Sequence, residues 1–90
     1  ITGAAGNSNA LVALYRVNTS SSSAPSAFSG TFTYTFATGA ITNGTLSGWT
    51  TAVPALVAGE YSWVRQATAS ANTSTDSIPH TEFSTAVIVA

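Results

Sequence analysis

Ninety residues give room for one domain with a modest core, and the absence of Cys removes both disulfide support and thiol chemistry. Only 6% of the residues are charged, and two Arg without any Lys cannot neutralise a run of phosphates, which excludes nucleic acid as a partner. Ser, Thr, Asn and Gly interrupt every apolar run before about 18 residues, so no membrane-spanning helix is encoded, while a 44% hydrophobic content with Trp, Tyr and Phe argues against disorder.

The surface of such a chain has to be made of hydroxyls, amides and small side chains. That suits an extracellular or virion protein, or one covered by copies of itself. No basic start followed by an apolar core marks a signal peptide. Met is missing and the chain opens Ile1-Thr2-Gly3, so we expect a piece of something longer.

Ile1 to Asn9, rich in Gly, Ala, Ser and Asn, reads as a linker, and residues 10–90 as the domain. Ala10 to Val17 is apolar at nearly every position, as expected of a strand covered on both faces. Asn18 to Gly30 is a low-complexity loop with four consecutive Ser and a Pro, expected to be exposed or to lie along a neighbour, and long enough to suggest a role. Thr31 to Phe36 alternates cleanly, with Phe32, Tyr34 and Phe36 on one side and Thr31, Thr33 and Thr35 on the other. Asn43-Gly44 has the chemistry of a type I′ turn and predicts a tight hairpin over Ile41–Leu46. Gly48 to Val53 predicts a further strand, stopped by Pro54.

Gly59 to Ser70 organises the rest. Tyr61, Trp63, Arg65, Ala67 and Ala69 share one face, and Ser62, Val64, Gln66, Thr68 and Ser70 the other. This period predicts a central strand. Ser70 to Asp76 reads as a polar turn, Ile78 to Phe83 as irregular with a helical turn after Pro79, and Thr85 to Ala90 as a closing apolar strand. Five or six strands without a long helix predict an all-β, antiparallel β-sandwich.

Reactive chemistry is poorly supported. Asp76, His80 and the Ser residues have no spacing that builds a hydrolytic triad, and Asp76, His80 and Glu82 form no recognisable metal pattern. We therefore expect no enzyme, no cofactor and no metal. Tyr34, Trp49, Tyr61 and Trp63 could stack on sugars, but a domain this small needs its large rings inside. The binding candidates are Ser21, Ser22, Asn72, Asp76 and His80 in loops, and Arg65 at a subunit interface. Arg65 is expected to pair with Glu60 or Glu82, or to lie over an aromatic ring.

Two resemblances add to this. Leu56 to Ala67, with Trp49 upstream, resembles the second half of a fibronectin type III domain. The resemblance implies an Ig/fibronectin type III-like sandwich in which Trp49 sits on an early core strand and Tyr61 forms a corner with upstream backbone. Three blocks carry the second: Leu14-Tyr15-Arg16 with Ser23-Ala24-Pro25; Thr33 to Gly39 with Gly48-Trp49-Thr50; and Trp63 to Ala69 with Thr75-Asp76-Ser77-Ile78 and Glu82-Phe83-Ser84. Together they resemble a domain of tailed-phage tail fibre and tail-tip (host-specificity, central fibre) proteins. That resemblance implies a structural domain on the outside of a virion, trimeric with copies of itself, joined to other tail proteins and close to a host receptor or glycan. The alternatives are a carbohydrate- or receptor-binding module and a repeat of a bacterial surface filament or adhesin.

Overall fold

The computed structural model describes residues 8–89; the rest of the expected linker, residues 1–7, lies outside them. Six strands follow in order: β1 (Ser8–Asn18), β2 (Thr31–Thr35), β3 (Ala40–Thr42), β4 (Tyr61–Ala71), β5 (Thr75–Pro79) and β6 (Val87–Ile88), with a single 3-10 turn at His80–Glu82 between the last two. They form two antiparallel three-stranded sheets, ordered β1-β4-β6 and β3-β2-β5. The protein is all-β.

The expected central strand is central. β4 pairs along its whole length with β1, from Tyr61 opposite Asn18 to Ala71 opposite Ser8, and β6 lines its other side. Its alternation decides which face is buried. Trp63, Ala67 and Ala69 join Val12 and Leu14 of β1 in a core completed by Phe32 of β2 and Ile78 of β5, so the two sheets share one interior. Ser8 and Asn9 belong to β1 rather than to a linker.

β1 is not covered on both faces as its composition suggested. Val12 and Leu14 are buried, whereas Leu11 is 66% exposed. The second sheet packs under only one side of β1, and the other keeps apolar side chains in solvent.

Asn43 and Gly44 do have the positive φ of a type I′ turn, 59° and 62°, yet they do not close a hairpin. β2 and β3 are already joined at residues 36–39, where the Gly39 amide donates to Thr35 O at 2.8 Å. Asn43-Gly44 instead lies within the returning arm. Pairing resumes at Thr45 with Ser29, which leaves three residues, 30–32, opposite two: a bulge.

The segment 48–53 is not a strand. Positive φ at Ser47 and Gly48 and a turn from the Trp49 amide to Leu46 O break the extended run, and only Thr50 bridges, to Tyr15. Trp49 therefore sits on a connecting segment, unlike the early core strand implied by the fibronectin resemblance. Thr75–Pro79, where a turn and irregular chain are expected, forms β5 against β2; β5 is an edge strand, where a residue without an amide such as Pro79 is tolerated. Of the expected closing strand, Val87–Ile88 pair while Thr85 and Ala86 do not, and its last residue, Ala90, lies outside the described residues.

The largest departure is Phe28. Placed in a loop read as exposed, it is 2% accessible and lies edge-on to Phe32, Trp49 and Phe83, with ring centroids 5.4, 5.4 and 4.8 Å away. Four rings in T-shaped contact make the aromatic half of the core.

Candidate functional site

Each large ring considered for sugar stacking is accounted for. Trp49 and Trp63 are buried, and both indoles spend their N–H inside the molecule: Trp49 Nε1 donates to Ser26 O and Trp63 Nε1 to Asn18 Oδ1, each at 2.8 Å. Neither offers a free face to a sugar. Tyr34 and Tyr61 are half-buried and pack against the core.

Arg65 lies on the core face of β4 and is half-buried. Its guanidinium carbon stands 5.8 Å from both the Phe28 and the Trp49 ring centroids, the cation–π alternative rather than the ion pairs with Glu60 or Glu82. Nη1 donates to Ser84 O at 3.4 Å, a long bond, and Nε is buried with no partner among the described residues. Glu60 is engaged elsewhere: its Oε1 accepts the Val57 amide at 3.0 Å. Arg65 thus braces its own chain's aromatic cluster.

Ser21 and Ser22 are exposed, on a loop that is built rather than loose. Asn18 organises it: its Oδ1 accepts the Ser20 amide as well as the Trp63 indole, and its Nδ2 donates to Ser23 O. Ser20 Oγ in turn accepts the Ser22 and Ser23 amides. These are nested side-chain turns, the short-range bonding for which Asn and Ser are suited. The role of Asn18 was missed in the sequence, where it marked only the start of the loop 18–30.

Asn72 is exposed at the β4–β5 turn. Asp76 is half-buried, and its Oδ2 accepts the Ser70 amide at 3.0 Å, closing that turn across the two strands. His80, also half-buried, donates its amide to Gly30 O at 2.9 Å and holds Nδ1 at 3.1 Å from the same oxygen. The structure does not gather the six candidates into one place. Among the described residues no three His, Asp or Glu side chains come close enough to hold a metal ion. Both Asp76 and His80 serve backbone groups, as structural side chains do.

What the strand arrangement does create is a groove of about 220 Å³ between the outer edge of β1 and the β2–β3 arm. Leu11, Ala13 and Tyr15 of β1, Tyr34 of β2, Ile41 of β3 and Thr51 line it. No charged side chain lines it. It was not visible in the sequence, because it depends on where residues 48–53 leave the sheet.

The second arginine was also missed. Arg16 Nη1 donates to Ser47 O, tying β1 to the connecting segment that carries Trp49. A Cβ on Gly48 would lie 3.1 Å from the Arg16 guanidinium carbon, so glycine lets the two approach. Set beside known proteins, the chain matches no family model, no curated protein and no solved structure.

Proposed function

We propose that this is a non-catalytic structural domain of a tailed-phage tail fibre or tail-tip protein, with an Ig/fibronectin type III-like sandwich, that helps build the fibre on the outside of the virion. The observation that carries the reading is the surface. Val53, Val57 and Leu11 are 73%, 68% and 66% exposed, in a chain with only 6% charged residues. Such side chains are at home when copies of the chain or other tail proteins cover them. The three-block sequence resemblance to phage fibre domains supplies the biological setting. In that setting the ordered serine loop, with Ser21 and Ser22, and the turn at Asn72 are the parts offered to a host receptor or glycan.

Light scattering coupled to size exclusion on the 90-residue chain, and on the same chain extended by its native neighbours, tests this. A trimer is expected, forming as concentration rises through the micromolar range, about where weakly held protein contacts form. A chain that stays monomeric in both forms would overturn the reading.

A further inference from the structure

Among the described residues, each edge of the sheet β1-β4-β6 has a stretch with no neighbouring strand, and the residues on the two stretches match. On one side, Tyr15 exchanges backbone hydrogen bonds of 2.7 and 2.8 Å with Thr50, so its N–H and C=O point away from β4. In an antiparallel ladder, direction alternates along the strand, so Leu11 and Ala13 also turn their backbone groups outward. No described residue meets those groups. The chain could have covered them itself: continuing from Thr50 in the same register would set Ala52 beside Ala13 and Pro54 beside Leu11. It peels away instead. Thr50 Oγ1 donates to Ala52 O in a local turn, and Pro54 has no N–H to offer. The groove described above is the space this leaves.

On the other side stands β6. The Val89 amide donates to Ser62 O, and Val87 and Ile88 pair with Val64 and Trp63, so by the same alternation Ile88 turns its N–H and C=O outward. Val87, Ile88 and Val89 are all exposed, with no charge or proline to blunt the edge.

We infer that β6 of one copy docks against the Leu11–Ala13 edge of the next, continuing the β1-β4-β6 sheet from molecule to molecule. Charge selects this occupant. A segment carrying Lys, Arg, Asp or Glu would give up hydration in a groove whose lining has no counter-charge, and residues 86–89 carry none. Length agrees as well: the edge left open by residues 11–13 is the length of the apolar run 87–89. In a continuous sheet the pleat is shared. Ile88 lies on the Trp63 face, so it enters the groove toward Tyr34 and Ile41, while Val87 and Val89 flank Leu11 on the outer face. The two surfaces differ, so the contact is head-to-tail and closes only as a ring. The inference rests on the fibre-building function proposed above and names the surface it uses.

The absence of Cys allows a clean test. Leu11→Cys in one chain and Val87→Cys or Val89→Cys in another are mixed and mildly oxidised, with Val53→Cys as an exposed control in place of Leu11→Cys. Residues directly opposite on neighbouring strands come within disulfide reach. The expected result is rapid cross-linking of 11 to 87 or 89 and little of 53 to either, together with association at least about tenfold weaker for Leu11→Lys, which puts a charge on the edge. Association of the unmodified chain without preferential cross-linking at 11 would overturn the edge contact and leave the fibre function standing. A chain that does not associate at any concentration would overturn both.

Discussion

A Phe28→Ala chain is expected to lose about 3–5 kcal/mol of stability, the usual cost of emptying a buried aromatic site. Phe28 is 2% exposed and meets Phe32, Trp49 and Phe83 edge-on, while the Arg65 guanidinium lies over its ring. Removing it leaves a void at the meeting point of four side chains, and Arg65 loses one of the two rings against which its buried Nε is held. A small domain has only about 5–15 kcal/mol to lose. At about 4–8 °C per kcal/mol for this size, the melting temperature should fall by roughly 12–40 °C. Urea unfolding followed by Trp fluorescence reads the change. A loss below about 1 kcal/mol would mean that the ring is not packed as described.

Gly44→Ala should cost about 2–5 kcal/mol, from two sources. The backbone stands at φ +62°, where an L-residue is penalised by about 1–2 kcal/mol. The new Cβ would also lie 2.6 and 2.7 Å from Cδ1 and Cε1 of Phe32. That ring is fully buried and wedged against Phe28 and Phe83, so it has nowhere to turn, and overpacking adds about 1–3 kcal/mol. Gly59 supplies the control. Its φ is +87°, but a Cβ there meets nothing within 4 Å, so Gly59→Ala should show the backbone cost alone. Chemical denaturation of the pair separates the two causes. Equal losses at both positions would refute the close approach at Gly44.

Strands were legible where a single face is buried. In Thr31–Thr35 the rings alternate with hydroxyls and Phe32 is inside, and in the second half of Tyr61–Ala71 Ala67 and Ala69 are buried between exposed Gln66, Thr68 and Ser70; nearer its start Ser62, Trp63 and Val64 are buried in succession. Alternation failed in β1, because Leu11, Ala13 and Tyr15 are as apolar as the core residues between them. Composition cannot tell an interior face from one left for a partner. Phe28 was hidden by its neighbours: surrounded by Ser, Ala and Pro, it gives no period at all, and it is tertiary contacts, the bridge from Ser29 to Thr45 and the Trp49 indole on Ser26 O, that fix it over the core. Asn43-Gly44 was read correctly as backbone and wrongly as topology, since the chain had already reversed at residues 36–39. The candidate residues were legible one by one as loop, turn or core face. Their separation was not, because it follows from which strands pair. The stacking of Arg65 was among the sequence alternatives, and the hydrogen-bonding hub at Asn18 was not.

Amide hydrogen exchange on the unmodified chain, at low and high concentration, tests the central claim most directly. The rings fill the interior and the sheet edges are left for copies of the chain. Exchange should be slowest in the middle of β4, whose amides open only with the whole fold, and fast at Leu11, Ala13 and Ile88 in dilute solution, becoming slow as the chain associates. Protection of Leu11 and Ala13 already in the dilute monomer, or fast exchange there in the associated form, would contradict it.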